Sequence, residues 1–313
     1  MESVEDCCSR GFKAFDRATH YYLLFMDLSV ITVTWNSRDL IGEQIRSVFS
    51  GCKDILCEEI VVDNGSSDGT VEYVSSEFSN VHVIANKKNM GFGAANNQGV
   101  AVAKGEFLLF LNPDMRVDFG SLDVILKWMK DRPNVGIVSP KLVDEKGNLN
   151  IDAQPRRLPR VWEQVALILK LPHLFPSIMD GYLMKNFDAD KEQEVDSVRG
   201  SFMLVRRDII DKLGFAWDPR YFIWYEDVDI CRETKRLGYR VMHTPIITAV
   251  DYVGQSFKQR TTLWKQKHFT KSMLTYFQKW EPWYRWMWIA LFRPVGIGMV
   301  LFGEIFRNIR SKI

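Results

Sequence analysis

Residues 59–70 read Glu-Ile-Val-Val-Asp-Asn-Gly-Ser-Ser-Asp-Gly-Thr. The stretch begins as a short apolar strand and stops at Asp63, where turn-forming residues lead into a helix start with Ser67 or Asp68 as the N-cap. Residues 106–114 repeat the arrangement, because Glu-Phe-Leu-Leu-Phe-Leu runs directly into Asn-Pro-Asp. Each stretch is therefore an apolar strand that ends near a carboxylate.

Similar apolar runs recur through the first half of the chain, with helical patterns between them. The predicted strands are 28–34, 59–62, 81–84, 106–111 and 135–138, and the predicted helices are 38–49 and 92–103. This alternation predicts an α/β fold with a mostly parallel central sheet flanked by helices. Ligands of such sheets bind beyond the carboxyl ends of the strands, where we expect both Asp63 and Asp114.

Composition excludes several classes of protein. The chain has 313 residues, 46% of them hydrophobic, and a net charge of only +2, so it is neither a disordered tail nor a dedicated nucleic-acid binder. An odd number of cysteines without a Cys-x-x-Cys pair near a histidine predicts reduced thiols in a cytosolic protein. They are Cys7, Cys8, Cys52, Cys57 and Cys231.

Three regions lie outside the alternating pattern. Residues 1–26 are expected to be an N-terminal extension, because residues 1–20 carry charges of both signs and lack the apolar run of a signal peptide. Residues 150–195 contain four prolines and predict an irregular insertion, not a separate domain. Regular structure is expected again from residue 198, with a helix that ends at Gly238.

The C-terminal segment, 261–313, has an unusual composition. Residues 286–303 hold one charge in 18 positions, with tryptophans before them and cations after them. This pattern is typical of a helix in the membrane interface, and Arg293 and Pro294 argue against a simple span. The alternative is a helical hairpin packed on the domain.

The acidic residues are the candidates for chemistry. After the first strand the chain reads Thr-Trp-Asn-Ser at 34–37, without the glycine-rich loop of a dehydrogenase or a sugar nucleotidyltransferase. Asp63, Asp114 and the Glu226-Asp227 pair instead suit a metal-bridged diphosphate and a general base. Two simpler readings remain open: Asn-Pro-Asp is a common strand-ending turn, and acids are favoured in the first turn of any helix.

Six motifs in order carry a family resemblance. They are residues 30–36 (Val-Ile-Thr-Val-Thr-Trp-Asn), 61–70, 89–97 (Asn-Met-Gly-Phe-Gly-Ala-Ala-Asn-Asn), 110–114, 200–207 (Gly-Ser-Phe-Met-Leu-Val-Arg-Arg) and 225–229 (Tyr-Glu-Asp-Val-Asp). Over residues 28–257 the chain resembles the family 2 inverting glycosyltransferases of the GT-A fold, and within them the rhamnosyltransferase-like branch. The motifs are specific for the family and much less so for the sugar.

The resemblance implies a GT-A domain over 27–260 and a role for each matched residue. Asp227 would be the general base, Glu226 would orient the acceptor or support the base, and Asp114 would hold Mg²⁺ or Mn²⁺ on the diphosphate. The residues implied on the nucleotide side are Thr34, Trp35, Asn36, Asp63, Asn89, Gly91, Phe92, Gly93, Asn96, Asn112 and Pro113.

One motif departs from the family pattern. Where the family commonly has His-x-x-Gly-x-Ser, residues 251–256 read Asp-Tyr-Val-Gly-Gln-Ser. Asp251 is therefore a candidate metal ligand, and Lys258 or Arg260 a candidate cation for the phosphates.

The implied reaction is a metal-assisted single displacement that inverts the anomeric carbon. The sugar, with rhamnose from dTDP-rhamnose as the best match and other dTDP- or UDP-sugars as alternatives, would pass to a lipid-linked saccharide during surface polysaccharide synthesis. We expect this at the cytoplasmic face of the membrane, without any nucleic acid partner. The alternative, suggested by the missing histidine, is a catalytically silent relative that binds nucleotide sugar or scaffolds a membrane complex.

Overall fold

The computed structural model describes residues 26–252 and 260–310. Within them nine strands form one sheet in the order β3-β2-β1-β4-β8-β6-β9-β5, with β7 paired to β9. The strands are β1 (Met26–Thr34), β2 (Cys57–Asp63), β3 (His82–Ala85), β4 (Gly105–Leu111), β5 (Met115–Val117), β6 (Val135–Val143), β7 (Gln193–Glu194), β8 (Phe202–Arg206) and β9 (Arg240–Asp251).

The helices lie on both faces and at the C-terminal end. They are α1 (Arg38–Gly51), α2 (Thr70–Glu77), α3 (Phe92–Val102), α4 (Ser121–Lys130), α5 (Val161–Ile168), α6 (Arg207–Leu213), α7 (Glu226–Arg236), α8 (Thr262–Trp280) and α9 (Trp283–Arg310). The N-cap of α2 is Gly69, with φ of 84°, not Ser67 or Asp68. Asp68 instead accepts a hydrogen bond from the Thr70 amide at 3.1 Å, which fixes the turn before the helix.

The sheet is parallel in its first four strands, as the alternating pattern predicts. β1 pairs in parallel with both β2 and β4, and β2 pairs in parallel with β3. β4 is buried on both faces, because Phe107, Leu109 and Leu111 pack with one cluster and Leu108 and Phe110 with the other. A continuous apolar run is what a central strand between two helical layers requires.

Beyond β4 the sheet is mixed, so the expectation of a mostly parallel sheet holds only for its first half. β8 enters between β4 and β6 and runs antiparallel to both, whereas β6 and β9 are parallel. The chain reaches β8 from the 150–195 segment without a helical crossover from β6, so nothing imposes a parallel direction there. This segment contains short 3₁₀ turns, α5 and β7, and that it is an insertion within one domain stays a prediction.

The two C-terminal helices pack against the domain. In α9, Arg293 donates a hydrogen bond to Thr270 of α8 at 3.3 Å, and Gly296 lies so close to Ile168 of α5 that a Cβ would be 2.6 Å from its side chain. The opposite face of α9 presents apolar side chains to solvent. They are Trp283, Tyr284, Met287, Leu291, Val295, Met299, Leu301, Phe302 and Ile305.

The stretch Trp283–Ile305 of α9 is also long and apolar enough to cross a membrane. Its mean hydropathy is 1.5, and only 11% of that stretch is buried. The inner face of α9 carries Arg293 and contacts α5 and α8. The outer face of the helix is apolar and exposed. The predicted boundaries at 26 and 260 stay predictions, and Cys7, Cys8 and Lys258 lie outside the described residues.

Candidate active site

A cleft of about 310 Å³ opens at the carboxyl ends of β1 and β4. Its floor is formed by the residues that follow these strands, and its wall by the turn that leads into α7. Ten residues predicted from the sequence line it: Thr34, Trp35, Asn89, Phe92, Asn112, Pro113, Asp114, Glu226, Asp227 and Asp251. The fold thus brings together acids that lie far apart in the sequence.

Five other predicted residues are not among those that line the cleft: Asn36, Asp63, Gly91, Gly93 and Asn96. Asp63 is 1% exposed, and its carboxylate accepts hydrogen bonds from the Thr34 hydroxyl and from the amides of Gly65 and Ser66. It therefore holds the turn after β2 in place. For all five residues, contact with a nucleotide remains a prediction.

The glycines at 91 and 93 make room for protein instead of ligand. At Gly91, where φ is 94°, a Cβ would lie 2.7 Å from the backbone oxygen of Phe222. At Gly93 a Cβ would lie 3.2 Å from the Cβ of Trp217. A side chain at either position would push against the segment that forms the cleft wall.

Asp114 and Asp251 come to the same side of the cleft through the pairing of β5 with β9, in which Met115 is opposite Asp251. Both carboxylates are 6% exposed. Among the described residues no group of three or more His, Cys, Asp or Glu side chains forms a metal cluster. Two carboxylates suit Mg²⁺ or Mn²⁺, which takes its other ligands from phosphate oxygens and water.

The turn before α7 is strained. Trp224 and Tyr225 have φ of 68° and 73°, a left-handed conformation that costs roughly 1–3 kcal/mol for each residue. Contacts from distant elements hold it: Ser272 of α8 donates to the Ile223 carbonyl at 2.7 Å, and Tyr225 donates to the Gln164 side chain of α5 at 2.8 Å. This turn places Glu226 and Asp227 at the first residues of α7, beside the cleft.

The two acids at this helix start have different surroundings. Asp227 is partly exposed, and its Oδ1 accepts a hydrogen bond from the Val228 amide at 2.8 Å. Glu226 is 6% exposed, and its Oε2 has no hydrogen-bond partner in the described protein. Burial, with the nearby charge of Asp227, raises the pKa of Glu226 to about 8. At neutral pH Glu226 is thus mostly protonated, and its neighbour Asp227 is partly solvated.

The comparisons with known proteins identify the family of the chain. The model of the glycosyl transferase family 2 matches residues 29–214, more than half of the chain. The chain belongs to glycosyltransferase family 2. It is 26% identical over 210 residues to the N-acetylglucosaminyl-diphospho-decaprenol L-rhamnosyltransferase of Mycobacterium tuberculosis, covering 63% of this chain and 67% of that protein.

Two further similarities support the branch and the fold. The rhamnosyltransferase WbbL of Escherichia coli is 28% identical over 191 residues, covering 56% of this chain and 67% of its own length. The mannosyltransferase PcManGT of Pyrobaculum calidifontis, solved with GDP-Man and Mn²⁺, has a TM-score of 0.53 at 17% identity, covering 88% of this chain and 73% of that one. The predicted GT-A fold and the rhamnosyltransferase-like branch are confirmed.

Several residues of this glycosyltransferase cleft have no counterpart in the motifs. Arg199, Tyr182 and Asp152 line it, the last two from the irregular 150–195 segment. Trp264 of α8 also lines it, and the guanidinium of Arg260 lies between the rings of Trp35 and Trp264, 3.9 and 4.8 Å from their centroids. Periodicity could not place the loop residues, whereas Arg260 is one of the two cations that the sequence offered for the phosphates, and it lines the cleft.

A buried ionic cluster ties α8 of the glycosyltransferase to α7. Lys279 lies 3.1 Å from Asp218, 2.6 Å from Asp229 and 2.9 Å from Glu233. Burial alone would raise the pKa of Asp218, but hydrogen bonds from Arg220 and Lys279 outweigh it and lower that pKa to about 2. Trp280 donates to Asp229 at 2.6 Å, so the end of α8 is fixed beside the helix that carries Asp227.

Proposed function

We propose that this family 2 enzyme transfers rhamnose, with inversion, from dTDP-rhamnose or a related nucleotide sugar to a lipid-linked saccharide in surface polysaccharide synthesis. The observation that carries the proposal is the shared cleft, in which the acids of the α7 start and the strand-end acids Asp114 and Asp251 line one cavity. Similarity to two rhamnosyltransferases supports the choice of sugar.

In the proposed reaction Asp227 accepts the proton of the acceptor hydroxyl. The acceptor oxygen then forms a bond to the anomeric carbon while the bond from that carbon to the diphosphate oxygen breaks, and the nucleoside diphosphate leaves with the electron pair. Glu226, protonated at neutral pH, can donate a hydrogen bond that orients the acceptor. No covalent intermediate with the enzyme is needed.

Asp114 and Asp251 would hold Mg²⁺ or Mn²⁺, which when bound neutralises charge on the departing diphosphate. Arg260, held between two indole rings, adds a fixed positive charge to the cleft. Trp35 and Asn89 would contact the nucleotide.

We propose the cytoplasmic face of the membrane as the place of reaction. The outer face of α9 is apolar along its length, and its inner face is already packed on α5 and α8. A helix with this distribution is suited to lie in the membrane interface. The acceptor lipid would then reach the cleft from the same surface.

The test is release of nucleoside diphosphate from a panel of sugar nucleotides, with Mg²⁺ or Mn²⁺ and with or without a membrane extract as the acceptor source. We expect release from dTDP-rhamnose that rises with acceptor. Asp227→Asn should lower acceptor-dependent turnover by about 100-fold or more while donor affinity is kept, because loss of a general base typically has an effect of that size.

Asp118→Asn is the matched control, because Asp118 is exposed and lies outside the cleft lining. It should leave turnover unchanged. Release from another donor alone would overturn the assignment of rhamnose, and full turnover by the Asp227 variant would overturn the assignment of the base.

A further inference from the structure

Arg199 lies in the cleft wall directly beside the proposed base. It precedes Gly200, where a Cβ would be 3.6 Å from that of Asp227. The backbone at Gly200 is therefore within van der Waals reach of the start of α7. Arg199 and Asp227 both line the cleft.

The guanidinium of Arg199 has no partner of its own. Within residues 26–252 and 260–310 it makes no hydrogen bond and no ion pair. The neighbouring Arg156 differs, since its guanidinium donates to the carbonyls of Ile151, Asp152, Gln154 and Pro155. A partly buried guanidinium whose five donors meet no protein acceptor is available to a ligand that enters the cleft.

Two more unpartnered polar groups border the same part of the cleft. The Tyr182 hydroxyl has no hydrogen bond in the described part of the chain, although the Tyr182 carbonyl is fixed by the Arg157 amide at 3.1 Å. The second group is the buried Oε2 of Glu226. Burial opposes the charge of Arg199, but Asp227, Tyr182 and Glu226 together outweigh it and raise the pKa of Arg199. These groups are therefore close enough to act on one ligand.

We propose that Arg199, assisted by Tyr182, binds an anionic group of the acceptor next to the hydroxyl that Asp227 deprotonates. A guanidinium and a phenol are donors that fit a phosphate ester or a carboxylate, and Arg binds both through two parallel hydrogen bonds. The position beside the base assigns the anion to the acceptor molecule. This proposal rests on the proposed glycosyl transfer and specifies its acceptor class.

The test measures equilibrium binding of three dodecyl probes. Dodecyl N-acetylglucosaminyl diphosphate and neutral dodecyl N-acetylglucosaminide share one sugar, and dodecyl glucuronide carries a carboxylate on a different sugar. Saturating dTDP or UDP with Mg²⁺ is present, so that the diphosphate subsite of the donor is filled. The wild type should bind at least one anionic probe more tightly than the neutral one. The tighter anionic probe identifies phosphate or carboxylate as the source.

Arg199→Gln should weaken binding of that anionic probe by about tenfold or more, the effect of losing a charge-assisted pair, and Tyr182→Phe by less. Binding of the neutral probe should change by less than about twofold, and Arg199→Lys should recover part of the loss. Arg46→Gln, on an exposed face of α1, is the control for net charge.

Three results would overturn the proposal. They are equal binding of all probes by the wild type, equal losses for charged and neutral probes, and a loss of nucleotide affinity in Arg199→Gln, which would assign the residue to the donor diphosphate. Retained nucleotide affinity also shows that the variant is folded. Failure of the proposed function would be seen separately, as a wild type that binds no nucleotide and releases none from any donor.

Discussion

At the scale of single residues, Glu226 and Asp227 are neighbours in sequence but have different surroundings. Burial and the charge of Asp227 raise the pKa of Glu226 from the usual 4.5 to about 8, whereas Asp227 faces the cleft. Because the folded protein holds a proton that the unfolded chain releases at lower pH, the free energy of unfolding should fall as the pH rises from about 4.5 to 8.

Glu226→Gln tests this assignment. Gln resembles the protonated acid, so the variant should be as stable as the wild type near pH 5 and more stable above pH 8, as measured by urea unfolding across that range. Its acceptor-dependent turnover should lose the decline that the wild type shows as the pH rises through about 8.

Glu59→Gln is the matched control, because burial also raises the pKa of Glu59 to about 8, in the core and away from the cleft. It should flatten the pH dependence of stability without changing that of turnover. An unchanged alkaline decline in Glu226→Gln would mean that another group causes it.

The cleft is lined by the acids and by several nucleotide-side residues that the motifs indicate, whereas two of its loop residues carry no such signal. Asp114 comes just after a recognisable buried strand. Asp227 comes just after an aromatic run that leads into a helix. Arg199 and Tyr182 could not be predicted, because nothing in the periodicity of the loops around them indicates which side chains face the cleft. Asp63 was placed at the correct sheet edge, but its oxygens are used by its own turn.

At the scale of elements, the position of α7 depends on α5 and α8. The left-handed turn at Trp224 and Tyr225 is held from both helices, and the cluster around Lys279 fixes the other side of α7. Asp218 and Glu233 also pair with Arg220 and Arg236, but among the described residues Lys279 is the cation that pairs with buried Asp229.

Lys279→Met should therefore destabilise the protein by about 3–5 kcal/mol, because it leaves Asp229 buried without a cation, whereas Asp218 and Glu233 keep Arg220 and Arg236. The measurement is the free energy of unfolding from urea titration. Lys212→Met is the control: Lys212 pairs with Asp208 at 3.3 Å with both side chains about half exposed, and its loss should cost less than about 1 kcal/mol. Similar losses in both variants would show that the cluster is no stronger than a surface pair.

At the scale of the whole molecule, the apolar outer face of α9 distinguishes one surface from the rest. Leu291 and Phe302 are 56% and 64% exposed there, so aspartate at both positions should leave the fold intact. Leu291→Asp with Phe302→Asp should lower binding to phosphatidylglycerol-containing vesicles by about tenfold or more in a sedimentation assay, since the charges would have to enter the interface.

Phe119→Asp is the control for exposed apolar area, because Phe119 is 73% exposed in the loop before α4. Its vesicle binding should equal that of the wild type. Unchanged binding by the α9 double variant would exclude this face as the membrane contact.

The fold as a whole was predictable in its first half and only partly beyond it. Parallel pairing of β1 to β4 follows from alternating strands and helices, whose crossovers leave little choice of direction. The antiparallel entry of β8 depends on a path through residues 150–195, where prolines and short turns indicate irregular backbone without giving its course.

The strained turn before α7 also sets the size of the smallest working enzyme. Its conformation is maintained by Gln164 and Ser272, which lie 61 and 49 residues away in the chain from their partners. A fragment that stops at residue 214, where the family match ends, would lack Asp227 altogether. A fragment that stops at the end of β9 would keep Asp227 but lose the Ser272 contact, so the backbone that presents this residue would be free to relax. We therefore expect α8 to be part of the smallest active fragment.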